Sequence, residues 1–239
     1  MEADPRPPLW WLPNALTIAR CGLALMVGWA LLEYGAEARL LADGSNDALL
    51  IGSPALAYHA LTALITFAAA ASTDLVDGLL ARRLNAHTAF GAWLDPIADK
   101  LLVAAALIGL GYALYWPASL LVPASVIIAR DVGVSVLRGL PGGRRSLPVT
   151  PLAKWKTAAE LAAIALLLAG LALLAVFLSR GMPAPGEPLD SAQLQAAQYI
   201  SAAGVGLLWI AAALSAITGV AYGKAARQAA EDTLRDTFD

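Results

Sequence analysis

Asp74-Leu75-Val76-Asp77-Gly78-Leu79-Leu80-Ala81-Arg82 is followed, after eight further residues, by Gly91-Ala92-Trp93-Leu94-Asp95-Pro96-Ile97-Ala98-Asp99-Lys100. Long apolar runs lie on the outer side of both segments, so four aspartates stand near the adjoining ends of two hydrophobic helices. An aspartate at mid-membrane costs about 2.5–3.5 kcal/mol on insertion scales, and less near the interface. Such residues persist by pairing, by lining a wet cavity or by binding metal. Asp74 and Asp77 are three apart and share one helix face; Asp95 and Asp99 are four apart and share another. The short connection predicts antiparallel neighbouring helices, with the two pairs at one depth and facing each other.

The rest of the chain supports a membrane setting. Of 239 residues, 59% are hydrophobic and only 14% charged, and the mean hydropathy is +0.66. Soluble domains are nearer about 25% charged. Apolar runs predict an all-α integral membrane protein with six transmembrane helices, at roughly 15–35, 52–80, 92–114, 117–139, 152–179 and 192–223. Breaks fall at 43–47, at Trp116-Pro117, at Pro141-Gly142-Gly143 and in the Pro-rich stretch 183–188. The expected organisation is an N-terminal interfacial segment over 1–14, marked by Trp10 and Trp11, a membrane domain over 15–223 and a polar tail over 224–239.

Arg82, Arg83, Lys100, Arg138, Arg144, Arg145, Lys154 and Lys156 cluster on one side of this topology. The other side has Arg39 and Arg180 among several acids. Both termini and the basic loops are therefore expected in the cytoplasm. The start of the chain has no basic n-region, so its first apolar run reads as a retained span. Cys21 is the only cysteine, which excludes an internal disulfide and a Cys-based zinc site and suits a small packing residue. His59 and His87 read as packing or solvated residues.

The aspartate cluster holds up to four negative charges against two local cations, Arg82 and Lys100. Oxygen-rich clusters of this kind suit Mg²⁺ or Mn²⁺. Two such ions would clamp a diphosphate, and a carboxylate left off the metals would serve as general base. Gly78 and Ala81 leave room for a phosphate and base, although small residues such as these and Gly91 equally serve close helix packing. Arg82 is placed to bind a phosphate oxygen.

Together the residues read D-x-x-D-G-x-x-A-R, eight residues, G-x-x-x-D-x-x-x-D. This resembles the signature of the CDP-alcohol phosphotransferase family, with every motif position filled. The resemblance implies a six-span homodimer with a cytoplasm-facing site. By position it implies metal binding by Asp74, Asp77 and Asp95, with Asp99 as a further metal contact or the base; Asp95 is the other candidate base. It also places Asp74, Gly78, Ala81, Arg82 and Gly91 against the CDP moiety, with Asn14 and Thr17 beside them. Pro13-Asn14-Ala15-Leu16-Thr17-Ile18-Ala19-Arg20, Asp95-Pro96-Ile97-Ala98-Asp99-Lys100, Ala129-Arg130-Asp131, Leu137-Arg138 and Lys154-Trp155-Lys156-Thr157 are similar to the bacterial phosphatidylglycerophosphate synthase branch. The loop at 140–151 and the insertion at 180–192 depart from it.

That branch implies transfer of a phosphatidyl group from CDP-diacylglycerol to sn-glycerol 3-phosphate at a bacterial inner membrane, among membrane lipids and with no nucleic-acid partner. Arg20, Arg130, Arg138, Lys154 and Lys156 are the candidate ligands of the acceptor phosphate. Arg130 lies inside an apolar run, where a cation needs a partner, and Asp131 or Glu160 could be that partner. Interface snorkelling accounts equally for Lys154 and Lys156. Phosphatidylglycerol is the rival acceptor, giving cardiolipin. A carboxylate-lined cation transporter is the alternative of another class, but the acids cluster toward one side and no internal repeat appears.

Overall fold

The computed structural model describes residues 11–43, 53–84, 89–139, 151–180 and 191–238. The side chains of 13, 75–84, 89–90, 92, 138–139, 151–153, 191 and 229–238 lie outside the described set. Six helices account for the described chain: α1 Leu12–Asp43, α2 Pro54–Leu84, α3 Ala89–Ala113, α4 Ala118–Gly139, α5 Pro151–Ser179 and α6 Ser191–Phe238. Each contains a stretch long and apolar enough to cross a membrane, and no strand occurs among the described residues. The first and last helices run well past the apolar stretches that announce them, and the other four match theirs to within a few residues. In particular, α6 continues unbroken through the polar residues from Lys224 onward.

The chain divides into two compact units, Met1–Trp116 with Ile164–Ala202, and Pro117–Ala163 with Ala203–Asp239. In the first, α1 packs along both α2 and α3, while α2 and α3 touch each other only slightly. Contacts between α1 and α3 keep one register: Thr17 with Asp95, Arg20 with Asp99, Gly28 with Ala105, Leu31 with Gly109 and Gly35 with Tyr112. These two helices therefore run parallel over about 27 Å. Contacts with α2 run the other way, from Arg20 with Asp74, through Trp29 with His59, to Glu37 with Ser53. Thus α2 and α3 are antiparallel, as the short connection predicts, but they are not packed face to face. The first helix lies between them.

Small residues make this packing possible. Ala24, Val27, Ala30, Leu31 and Tyr34 form the buried stripe of α1, and Ala98, Leu102, Ala106 and Leu110 that of α3. A Cβ on Gly109 would lie 2.8 Å from the Leu31 side chain, so the backbone of α3 comes close at that point. Gly170 of α5 makes a similar approach to α6, where a Cβ would meet the Ser201 hydroxyl and lie 3.2 Å from the Ala197 carbonyl. Gly170→Leu is expected to destabilise the folded protein by about 1–3 kcal/mol through overpacking. Thermal unfolding in detergent measures this, and an unchanged midpoint would show that α5 and α6 separate at no cost.

The end of α3 is a Schellman cap. Trp116 N–H donates to the Gly111 carbonyl at 2.8 Å and Tyr115 N–H to the Tyr112 carbonyl at 3.4 Å, with Pro117 next in sequence. Tyr115 and Trp116 take φ of 61° and 52°. Arg39 of α1 supports the turn, donating to the Tyr112 carbonyl at 2.6 Å and stacking 4.5 Å from the Tyr115 ring centroid.

In the second unit, Val134 of α4 and Tyr222 of α6 are buried together, flanked by Leu137 and Ala225. Trp209 Nε1 on α6 donates to the Ser119 carbonyl of α4 at 3.0 Å.

Candidate active site

Thr17 and Arg20 stand three residues apart on α1, so they share a face, and each is 1% exposed. Thr17 Oγ1 donates to Asp95 Oδ1 at 2.7 Å. Arg20 Nη1 donates to Asp99 Oδ1 at 2.7 Å and lies 2.8 Å from Asp74 Oδ1. One guanidinium nitrogen thus gathers carboxylates from two helices. The antiparallel course of α2 and α3 brings the last part of one and the first part of the other to the same end of α1. Away from Arg20 the two carboxylates are open, with 44% of the Asp74 side chain and 49% of the Asp99 side chain exposed.

Of the two aspartate pairs expected to face each other, Asp74 and Asp99 meet at Arg20 of α1, and the side chain of Asp77 lies outside the described set. Arg20, expected with the acceptor phosphate, sits on the aspartates. Its place was legible, since Arg20 lies inside the apolar first run, and the partner rule applied to Arg130 applies to it equally. Asn14 is half-buried in the first turn of α1, and Gly91 is buried on α3. Asp77, Gly78, Ala81 and Arg82 belong to the last turns of α2, but their side chains lie outside the described set. Among the described residues no three His, Cys, Asp or Glu side chains form a ready metal-ligand group.

A second polar cluster occupies the other unit. Lys156 Nζ lies 2.5 Å from Asp131 Oδ1 and 2.8 Å from Glu160 Oε1, with the Lys156 side chain 3% exposed. Arg130 Nη1 reaches Asp131 Oδ1 at 2.9 Å. Ser215 Oγ donates to Glu160 Oε1 at 3.1 Å, tying α6 to α5. Arg130 lies 5.4 Å from the centroid of the Tyr222 ring, and its buried Nε has no hydrogen-bond partner among the described residues. Of the two candidate partners, Asp131 pairs with Arg130 and Glu160 with Lys156.

Burial separates Lys156 from Lys154, which is exposed, so snorkelling fits only Lys154. The side chain of Arg138 lies outside the described set. Ser215 is the member that reading by residue type missed. Its signal was weak, a hydroxyl in an apolar helix that commonly bonds its own backbone.

The model of the CDP-alcohol phosphatidyltransferase family matches residues 10–217, which contain the charged residues of both clusters. The chain belongs to this family. Within it, a protein of Cereibacter sphaeroides named CDP-diacylglycerol–glycerol-3-phosphate 3-phosphatidyltransferase is 38% identical over 228 residues, covering 89% of this chain and 94% of the relative. Proteins of the same name from Pseudomonas fluorescens and Escherichia coli K12 are 46% and 42% identical, each over 46% of this chain and over 57% and 62% of their own lengths. No solved structure matches at a significant level. A cation transporter is not favoured.

Proposed function

We propose that the chain transfers the phosphatidyl group of CDP-diacylglycerol to sn-glycerol 3-phosphate, releasing CMP and forming phosphatidylglycerophosphate. The observation that carries this reading is the convergence of Asp74 and Asp99 on one cationic nitrogen, with Asp95 fixed by Thr17, in a chain of this family. Oxygen donors already gathered around positive charge fit a hard divalent cation. Asp74, Asp77 and Asp95 would hold Mg²⁺ or Mn²⁺, two ions in the favoured arrangement, with Asp99 as a further metal contact or the base, and bound metal would supply charge stabilisation at the diphosphate.

The chain's own residues carry the remaining steps. Gly78, Ala81, Arg82, Gly91 and Asn14 surround the CDP moiety, Thr17 reaches it only through Asp95, and Arg130 binds the acceptor phosphate, with Arg138 and Lys154 as further contacts. The acceptor hydroxyl oxygen attacks the β-phosphorus, and its proton passes to Asp99, or to Asp95 as the alternative base. The bond from that phosphorus to the bridging oxygen breaks, and CMP leaves with that oxygen. A homodimer in a bacterial inner membrane, with the site and both termini in the cytoplasm, completes the reading.

Purified protein given labelled CDP-diacylglycerol and glycerol 3-phosphate is expected to form phosphatidylglycerophosphate and CMP together. Turnover with phosphatidylglycerol but not with glycerol 3-phosphate would move the assignment to cardiolipin formation.

A further inference from the structure

We propose that Arg20 is a built-in counter-cation, which keeps Asp74 and Asp99 assembled when no divalent ion is bound and opposes the ion that takes its place. The inference rests on the metal-dependent reading above. Arg20 is 1% exposed on an apolar helix, so its guanidinium requires anionic partners. Asp74 and Asp99 come from different helices with little direct packing, and both carboxylates touch the same Nη1 atom, at 2.8 Å and 2.7 Å. Without that nitrogen, the two carboxylates would face each other as uncompensated like charges and push the ends of α2 and α3 apart.

A divalent ion drawn to these carboxylates meets a positive charge already within hydrogen-bond distance of the same oxygens. Two effects then act in one direction when the arginine charge is removed. The cation-free site rises in energy because its carboxylates lose their counter-charge. The ion-bound site loses a like-charge repulsion. Both favour the ion. A residue that merely aimed the carboxylates would act in the opposite direction, since its loss would scatter the ligands and weaken binding.

The test uses the full-length protein in lipid nanodiscs, wild type beside Arg20→Gln and Arg20→Lys. Mn²⁺ is titrated in, with free ion followed by electron paramagnetic resonance, and thermal unfolding is recorded in EDTA and in Mn²⁺. Arg20→Gln is expected to bind Mn²⁺ at least about tenfold more tightly than wild type. It is also expected to unfold at lower temperature than wild type in EDTA, with Mn²⁺ removing the difference. Arg20→Lys, a shorter point charge that satisfies one carboxylate rather than two, is expected to tighten binding about threefold, and it carries the test if the glutamine variant does not fold. Equal or weaker Mn²⁺ binding by the variants overturns the inference while leaving the metal-dependent reading intact. Absence of Mn²⁺ binding by the wild-type protein overturns that reading, and the inference with it.

Discussion

Asp99→Asn is expected to lower CMP release from CDP-diacylglycerol by at least about a thousandfold, while the chain still folds and inserts. Asparagine preserves the volume and leaves an oxygen that can accept from Arg20 Nη1, now 2.7 Å from Asp99 Oδ1. Arg20 also keeps the full charge of Asp74 at 2.8 Å, so the buried guanidinium is not orphaned. What disappears is a negative charge and a proton acceptor on the open side of the site. Loss of a positioned general base alone costs about a hundredfold to ten-thousandfold, and loss of a carboxylate ligand acts on the same step. Asp95→Asn is expected to be severe as well, since Thr17 holds that side chain in place whichever form it takes. The measurement is single-turnover CMP release at saturating glycerol 3-phosphate, with thermal unfolding confirming the fold. An Asp99→Asn protein within tenfold of wild type would remove Asp99 from the chemistry and leave it a structural partner of Arg20.

The helices and the aspartate site were legible for a simple reason. Apolar runs of about 20 residues have few alternatives to a spanning helix, and an aspartate such as Asp74 near such a run needs an explanation. The spacing of Asp95 and Asp99 then fixes a shared face. Which helices touch was not legible, because packing depends on shape rather than on order in the chain. The short link after α2 favours α3 as its partner, yet the alanine stripes and Gly109 seat α3 against α1. Buried charge was legible only in part. Lys156 lies next to Lys154 and beside a basic loop, where counting positive charges explains a lysine without asking where it points. Its depth is declared by Glu160, one turn farther along α5 and deeper in the apolar run, where a lone carboxylate would be costly. The same reasoning covers Arg20, whose partners come from residues 54 and 79 positions away in sequence.

The second large effect is expected at that lysine. Lys156→Met removes the ammonium from a pair whose side chains are 3% and 2% exposed, leaving Glu160 buried with only the Ser215 hydroxyl. Breaking one partner out of a buried ion pair costs about 3–5 kcal/mol, whereas exposed pairs are worth about 0–1 kcal/mol. Asp131 is less affected, since Arg130 Nη1 remains 2.9 Å away. The orphaned charge is therefore that of Glu160, and a second change to remove it, Lys156→Met with Glu160→Gln, is expected to recover most of the loss. A four-protein unfolding cycle in detergent should show a coupling of at least about 2 kcal/mol between the two positions. Additive losses would mean that the ion pair contributes little and that each residue packs independently. The stabilised double variant also decides what Lys156 does in catalysis. If its ammonium only braces Asp131 and Glu160, the KM for glycerol 3-phosphate stays near wild type once stability is restored. If it contacts the acceptor phosphate, KM rises about tenfold or more, as expected when a charged hydrogen bond to substrate is lost, although the fold has been repaired.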